Sequence, residues 1–587
     1  MVGKDGSELA RLAARRLPSP RPPLYLTRGA STVSASDPTE QGTDPAEDSD
    51  ADNPTAPDRA WNESTRRPPS AVATDDNNAV GVATDRASRP SFLGVTSVRT
   101  ALRAVFRVYP PAREHVVFRA RSWSAAAPVP PPPAAEEAPG ALREQRCVDF
   151  YFENVHPIIP FLDEARFRAA ARDGRRDASW QGLLYVVLAL GSIASGSDTL
   201  HDVYYRRAQT VLNLETLGTG NLESLQALCL LGGLYLHYRN SPNTAFAVLG
   251  AAHRMAVALG LHREEAPHAA AAEHRAEAHR RTWWGLFCHD TWTSMSLGRP
   301  SCGRWDPATM DVALPGGGTT VADADADAVA VLRASCALCL VCNRIQDRFA
   351  VPRRPLAADE ALALDAELRA WYDALPPRLL RAGPAAAPHR FSTAGEFVRQ
   401  RYQNVRLMLF RAVLYRRVAD AADARPPAAD EEAVLERARD ATTQAVESIA
   451  LYWVPGRLHV WTSAWYLFQA CMTPLLCLAL HRSGRAPEPP ERVASWHASV
   501  AKALEAFAEM RPWMRPSDRT PDVVAAIFEA VTADAVEAAP AAVLGGLAEG
   551  DVGLAGWYDE QWAPGLDLDW DWAQLNVSLQ GGMFPPS

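Results

Sequence analysis

Apolar side chains recur at three- and four-residue intervals from about Leu142 to about residue 515, with few β-branched runs, and this spacing predicts α-helices. Leu183, Leu184, Val187, Leu188 and Ile193 form the stripe of one buried helix. Leu222, Leu225, Leu228, Cys229 and Leu234 form that of another, with Asn221 as its N-cap. Asn240-Ser241-Pro242 is a turn that starts a third helix, whose face carries Phe246, Leu249, Ala252, Met255 and Leu259 and which Gly260 closes. A further helix is expected over residues 280–297, stopped by Gly298-Arg299-Pro300: glycine supplies the left-handed cap and proline forbids continuation. Gly316-Gly317-Gly318 and the acidic-alanine run to Asp327 read as a loop. Helices are then expected over 328–350, 358–374, 394–417, 431–451, 461–481 and 490–510. No segment is strand-rich and no fixed repeat period stands out. The fold class that follows is all-α, a multi-helical array of antiparallel helices joined by short turns.

The flanks break the pattern. Between Arg28 and Arg59 lie eight acidic residues and no basic one amid Ser, Thr and Pro, too little apolar surface to offset the entropy of ordering. Residues 1–90 are therefore expected to be a disordered acidic and proline-rich region. Residues 91–141 hold a short apolar patch, Phe92 to Val108, and a polyproline linker, Pro128 to Pro133, as a partly ordered segment. Residues 142–515 form the helical domain. Residues 516–587 form an acidic-aromatic tail, with no Lys or Arg after Arg519 and eleven acidic residues over 520–587. There Trp557, Trp562, Trp570 and Trp572 alternate with carboxylates that keep them solvated, the texture of a disordered activation segment that offers aromatic side chains to a coactivator groove.

Composition narrows the class. The 587 residues carry a net charge of −9, which gives no global attraction to nucleic acid or anionic lipid. Only Lys4 and Lys502 among 60 basic residues are lysine, a GC-rich coding bias that makes alanine-rich stretches weaker helix evidence. The nine cysteines, odd in number and scattered through apolar helical patterns, read as reduced core thiols. None precedes Cys147. No unbroken apolar run reaches the roughly 18 residues of a membrane span, and no membrane partner is expected.

Candidate chemistry is sparse. Cys336, Cys339 and Cys342 form C-x2-C-x2-C, but on a helix their sulfurs make a loose stripe among Leu338, Leu340 and Val341, with no fourth ligand close in sequence, so core packing is expected. His274 and His279 are five apart, off one helical face, and read as solvated. His253 and His262 read as capping or core histidines. Gly191-Ser192-Ile193-Ala194-Ser195-Gly196 does not make the hydrolase elbow, and neither a P-loop nor a dinucleotide fingerprint is present. The expectation is a chain that is not an enzyme, with no catalytic, cofactor-binding or metal-ligating residue.

The most informative run is Arg280-Arg281-Thr282-Trp283-Trp284-Gly285-Leu286-Phe287-Cys288-His289-Asp290. Adjacent tryptophans project about 100° apart on a helix and together fill a wide contact. Asp290 in the same apolar helix needs a partner if buried, and Arg299 in the following loop is the expected one.

This run, with Gly298-Arg299-Pro300 and Asp311-Val312-Ala313-Leu314-Pro315, resembles the fungal-specific transcription factor domain, the middle homology region of fungal binuclear zinc cluster regulators. Tyr151 to Phe161 resembles the family's aromatic opening and Met255 to His262 its next landmark, and Trp371 with Leu375-Pro376 and Trp461 to Ala470 also fit. The resemblance spans about 142–515. It implies an all-α regulatory domain in a nuclear regulator of transcription, often of metabolic genes, with a homo- or heterodimer partner and a small-molecule effector among its expected contacts. Arg281, Trp283, Trp284, Asp290, Gly298, Arg299 and Pro300 carry over as structural landmarks only. Family members read DNA through six cysteines holding two zinc ions. With no cysteine before Cys147, zinc is no cofactor of this chain, and DNA is a partner only if a missing exon or another protein supplies that cluster. Two other readings stay open: a modulator of transcription that binds proteins rather than DNA, and an α-helical enzyme whose site converges only in three dimensions.

Overall fold

The computed structural model describes residues 93–124, 140–197, 199–264, 270–316, 323–351, 354–380, 390–419, 427–515 and 518–533. Among these residues there are helices and turns and no strand. The four activation-tail tryptophans and the expected disordered region 1–90 lie outside the described residues.

Two apolar cores divide the molecule. The first gathers α3 (Ala141–Asn154), α4 (Glu164–Arg172), α5 (Ala178–Ala194), α6 (Leu200–Val211), α8 (Leu222–Leu230), α9 (Pro242–Ala258) and most of α10 (Ala270–Leu297). A short α7 (Leu214–Gly218) lies on its outside, with Leu214 exposed. The second gathers α12 (Ala358–Asp373), α13 (Arg390–Ala419), α14 (Ala429–Tyr452), α15 (Arg457–Arg482), α16 (Pro490–Met510) and α17 (Thr520–Thr532), with α1 (Val98–Val108) and α2 (Pro110–Ser124). α11 (Asp323–Phe349) belongs to both: Leu332, Cys336 and Cys339 face the first core, and Val331, Leu338 and Cys342 the second.

Local chemistry sets the helix ends. Asp177 accepts from the Trp180 amide at 3.1 Å to start α5, and Asn221 accepts from the Ser224 amide at 2.9 Å to start α8. Pro242 occupies the first turn of α9, and Gly260 follows that helix at φ 79°. Two helix starts move furthest from the sequence reading. α10 starts ten residues before Arg280, because the Ala-rich stretch from Ala270 takes helical backbone. The acidic-alanine run is helical from Asp323, not a loop to Asp327.

The packed layer extends past Leu142 and past residue 515. Ala101, Leu102 and Val105 of α1 are fully buried, and α1 lies along α15. α2 packs against α17, where His115 meets Glu529 at 3.1 Å. α11 and α15 are long and apolar enough to cross a membrane by composition, yet their apolar windows are 67% and 89% buried in the protein, which makes them core helices.

Candidate functional site

The landmark residues of α10 converge with the loop that follows it. Arg281 donates from Nε to Glu277 Oε1 at 2.9 Å, and Glu277 in turn accepts from the Gly316 amide. Trp284 is fully buried, stacks obliquely on Trp305 at 4.8 Å, and donates from Nε1 to the Ala313 carbonyl at 2.9 Å. The amides of Asp311 and Val312 donate to the His262 carbonyl. The segments picked out by sequence are thus one assembly, in which α10 ties down 311–316 through hydrogen bonds at both edges. Trp283 is buried beside the rings of His253 and His262.

The Asp290–Arg299 ion pair does not form. Asp290 is buried, and its Oδ2 accepts from Ser301 Oγ and, at 2.8 Å, from the Gly303 amide, while His253 Nε2 stands 3.9 Å away. Burial lowers the His253 pKa, against the opposing pull of Asp290. Arg299 instead reaches Asn243 Oδ1 and lies over the Phe246 ring at 5.0 Å. The loop after α10 curls back far enough for its own hydroxyl and amide to bond Oδ2 of the carboxylate, while Oδ1 is buried without a hydrogen-bond partner and the Arg299 guanidinium reaches α9. Gly298 takes φ 67° and Pro300 is exposed.

Cys336, Cys339 and Cys342 are all fully buried, as core packing requires. A neighbour that sequence distance concealed joins them: Cys288 Sγ of α10 stands 3.9 Å from Cys336 Sγ. Among the described residues no group of His, Cys, Asp and Glu has the arrangement of a metal site.

Where the two cores meet, a cavity of about 160 Å³ opens. One wall is the end of α10, with Trp292, Thr293 and Ser296. A second is a π-helical turn, Leu231–Tyr235, that continues α8. Gly233 in that turn is pressed against the His289 ring, and a Cβ there would lie 2.3 Å from it, so only glycine lets the wider turn approach α10. Phe397 and Arg401 of α13 and Trp461 and Trp465 of α15 close the far side, and Leu93 and Ser97 cover it from the N-terminal segment.

The charged groups of the cavity are mostly basic. Arg401 is 4% exposed, with its guanidinium 4.5 Å from the Trp292 ring centre and 4.2 Å from that of Phe397. Arg99 and Arg515 also line the wall, Arg515 over Tyr238 at 3.8 Å, and Asp518 is the one lining carboxylate among the described residues. His237 Nε2 is 2.9 Å from Thr293 Oγ1, and burial, aided by Arg299, pushes the imidazole down to about 4, so it is neutral near pH 7. Sequence reasoning missed this site because its walls are drawn from residues 93 to 518. The one local signal was Phe397 and Arg401, four apart on the apolar face of α13.

The landmark residues thus hold structure within an all-α array, beside a cavity where its two cores meet. Residues 148–325 match the family model of the fungal specific transcription factor domain. The chain is similar to the lactose regulatory protein of Kluyveromyces lactis, 33% identical over 178 residues, 30% of this chain and 20% of that protein. It also resembles the sorbicillinoid biosynthetic cluster transcription factor 2 of Penicillium rubens, 26% identical over 324 residues, 50% of this chain and 46% of that one. The cutinase transcription factor 1 alpha of Fusarium vanettenii is 28% identical over 185 residues, 30% and 20% of the two chains. The alignments thus span a fifth to about half the length of these relatives. No solved structure matches significantly.

Proposed function

We propose that this protein regulates transcription in the nucleus, with residues 142–515 as a regulatory domain that responds to a small-molecule effector. The observation that carries this reading is the match of residues 148–325 to the fungal specific transcription factor domain, whose span holds the interlocked Arg281, Trp284 and Asp290 contacts. Two of the three relatives are transcription factors by name, one of them of a biosynthetic cluster, and the third is a lactose regulatory protein, which supports control of metabolic genes. DNA is read through a zinc cluster supplied outside this sequence or by a dimer partner, and the acidic-aromatic tail recruits a coactivator through Trp557, Trp562, Trp570 and Trp572.

The test is a fusion of the full chain to an unrelated DNA-binding module upstream of a reporter with measurable basal output. A several-fold change in either direction is expected, and replacing the four tail tryptophans by Ala is expected to remove any activation. An intact, nuclear fusion that leaves the reporter unchanged overturns the reading. The net charge of −9 favours a second reading, a modulator that acts by protein contact alone. Salt-dependent DNA binding by the purified chain decides against it.

A further inference from the structure

We propose that the cavity between the two cores is a binding site for a single-ring aromatic carboxylate held by Arg401 and Trp292. Arg401 is buried, and its Nε–H and Nη1–H groups have no hydrogen-bond acceptor. Among the described residues no carboxylate pairs with it. A buried cation without a counter-charge is costly, and flanking ring faces offset only part of that cost. The indole Nε1–H of Trp292, on the same cavity wall, is likewise buried without an acceptor. The two residues that carry unfilled donors therefore line one space, next to the further positive charges of Arg99 and Arg515. The ligand they call for is an anion with several acceptor lone pairs, which a carboxylate supplies.

Size and walls define the remainder of the molecule. A cavity of about 150 Å³ holds benzene, and this one is about 160 Å³. Trp461, Trp465, Leu234 and Leu297 give apolar and aromatic surface for a ring, where a small hydrated anion such as phosphate would lose its water without return. Because the walls come from both cores, an occupant touches α10 and the π turn on one side and α13 and α15 on the other, and so sets their spacing. This deepens the effector reading and rests on it for the consequence of binding, not for binding itself.

The experiment titrates the full chain with benzoate, benzamide, benzylamine and inorganic phosphate, read by tryptophan fluorescence and calorimetry. Benzoate is expected to bind in the millimolar range or tighter, about tenfold or more ahead of benzamide, with benzylamine and phosphate weaker still. Arg401→Met is expected to remove the preference for benzoate over benzamide. Ser296→Phe, which fills the cavity and leaves Arg401 in place, is expected to abolish binding with the circular dichroism spectrum unchanged. Equal binding of benzoate and benzamide, phosphate competing as well as benzoate, or no benzoate binding at all overturns the proposal. Should Arg401→Met fail to fold, Ser296→Phe decides: undiminished benzoate binding in that variant overturns it. A reporter response by the fusion described above with no benzoate binding would sink this site and leave the regulatory reading standing.

Discussion

Gly94 and Gly298 pack backbone against backbone. The Gly94 amide donates to the Leu297 carbonyl at 2.9 Å, and a Cβ on Gly94 would lie 2.1 Å from the Gly298 oxygen. The segment before α1 is thereby laid on the end of α10, and Thr96 Oγ1 donates to the Met295 carbonyl beside it. The glycine of the Gly-Arg-Pro stop thus has two tasks: it turns the chain at positive φ and it admits a second backbone.

Gly298→Ala is expected to cost about 2–5 kcal/mol, the sum of left-handed strain and a clash that backbone cannot relieve. Gly174 has φ 66° and open space where a methyl would project, with nothing within 4 Å, so Gly174→Ala is expected to cost only about 1–2 kcal/mol. Urea denaturation of the two variants side by side measures the difference, and equal losses would refute the packing role.

Ser301→Ala is expected to destabilise the protein by about 1–3 kcal/mol, since it strips a donor from the buried Asp290 carboxylate. In an Asp290→Ala background the same change is expected to cost far less. A double-mutant cycle that returned no coupling would show that the two side chains act independently.

Much of the helical order was legible in sequence, and the reason is visible in particular residues. Leu183 and Val187, and Leu184 and Leu188, repeat at helical spacing because α5 is packed on several sides, and Asn221 and Gly260 cap where backbone chemistry demands it. α1 and α17 were harder to read. Their apolar faces are short, next to polar and proline-rich stretches, and become meaningful only against α15, more than 300 positions from α1. Asp290 was recognised as a residue needing a partner, but the partner is a serine hydroxyl and a backbone amide, groups that carry no sequence signature. Arg401 reads as an ordinary helix-surface arginine until α10 and α15 are brought over it.

Stability is expected to fall as pH drops from about 6.5 towards 4. His237 and His459 are pushed down to about 4 by burial, and His253 and His289 are lowered in the same way. The unfolded chain takes up these protons first, near pH 6.5, so each histidine withdraws up to about 1.4 kcal/mol per pH unit across that window and nothing above it. His237→Asn retains a polar partner for Thr293 and removes one titration, so its unfolding free energy is expected to decline less steeply between pH 6.5 and 4. A slope unchanged from the wild type would count against a neutral His237.

Of the nine cysteines only Cys302 is exposed. Burial pushes the thiols of Cys229, Cys342, Cys471 and Cys477 well up, which removes their thiolate at neutral pH. One equivalent of a thiol reagent is expected to react quickly with the native protein and eight more on unfolding. Fast reaction at two or more sites would show that the cores open.

The burial of α1 sets a timetable for the growing chain. Arg411 donates to the Thr96 carbonyl across 315 positions, and α1 is covered by α15, later still. At about 5–20 residues per second the ribosome needs roughly 15–60 s to make that stretch. Through that interval Leu102 and Val105 lack their α15 cover, so the first described helix of the packed layer waits on one of the last to complete its burial. Any stall in translation before α15 would lengthen that exposure.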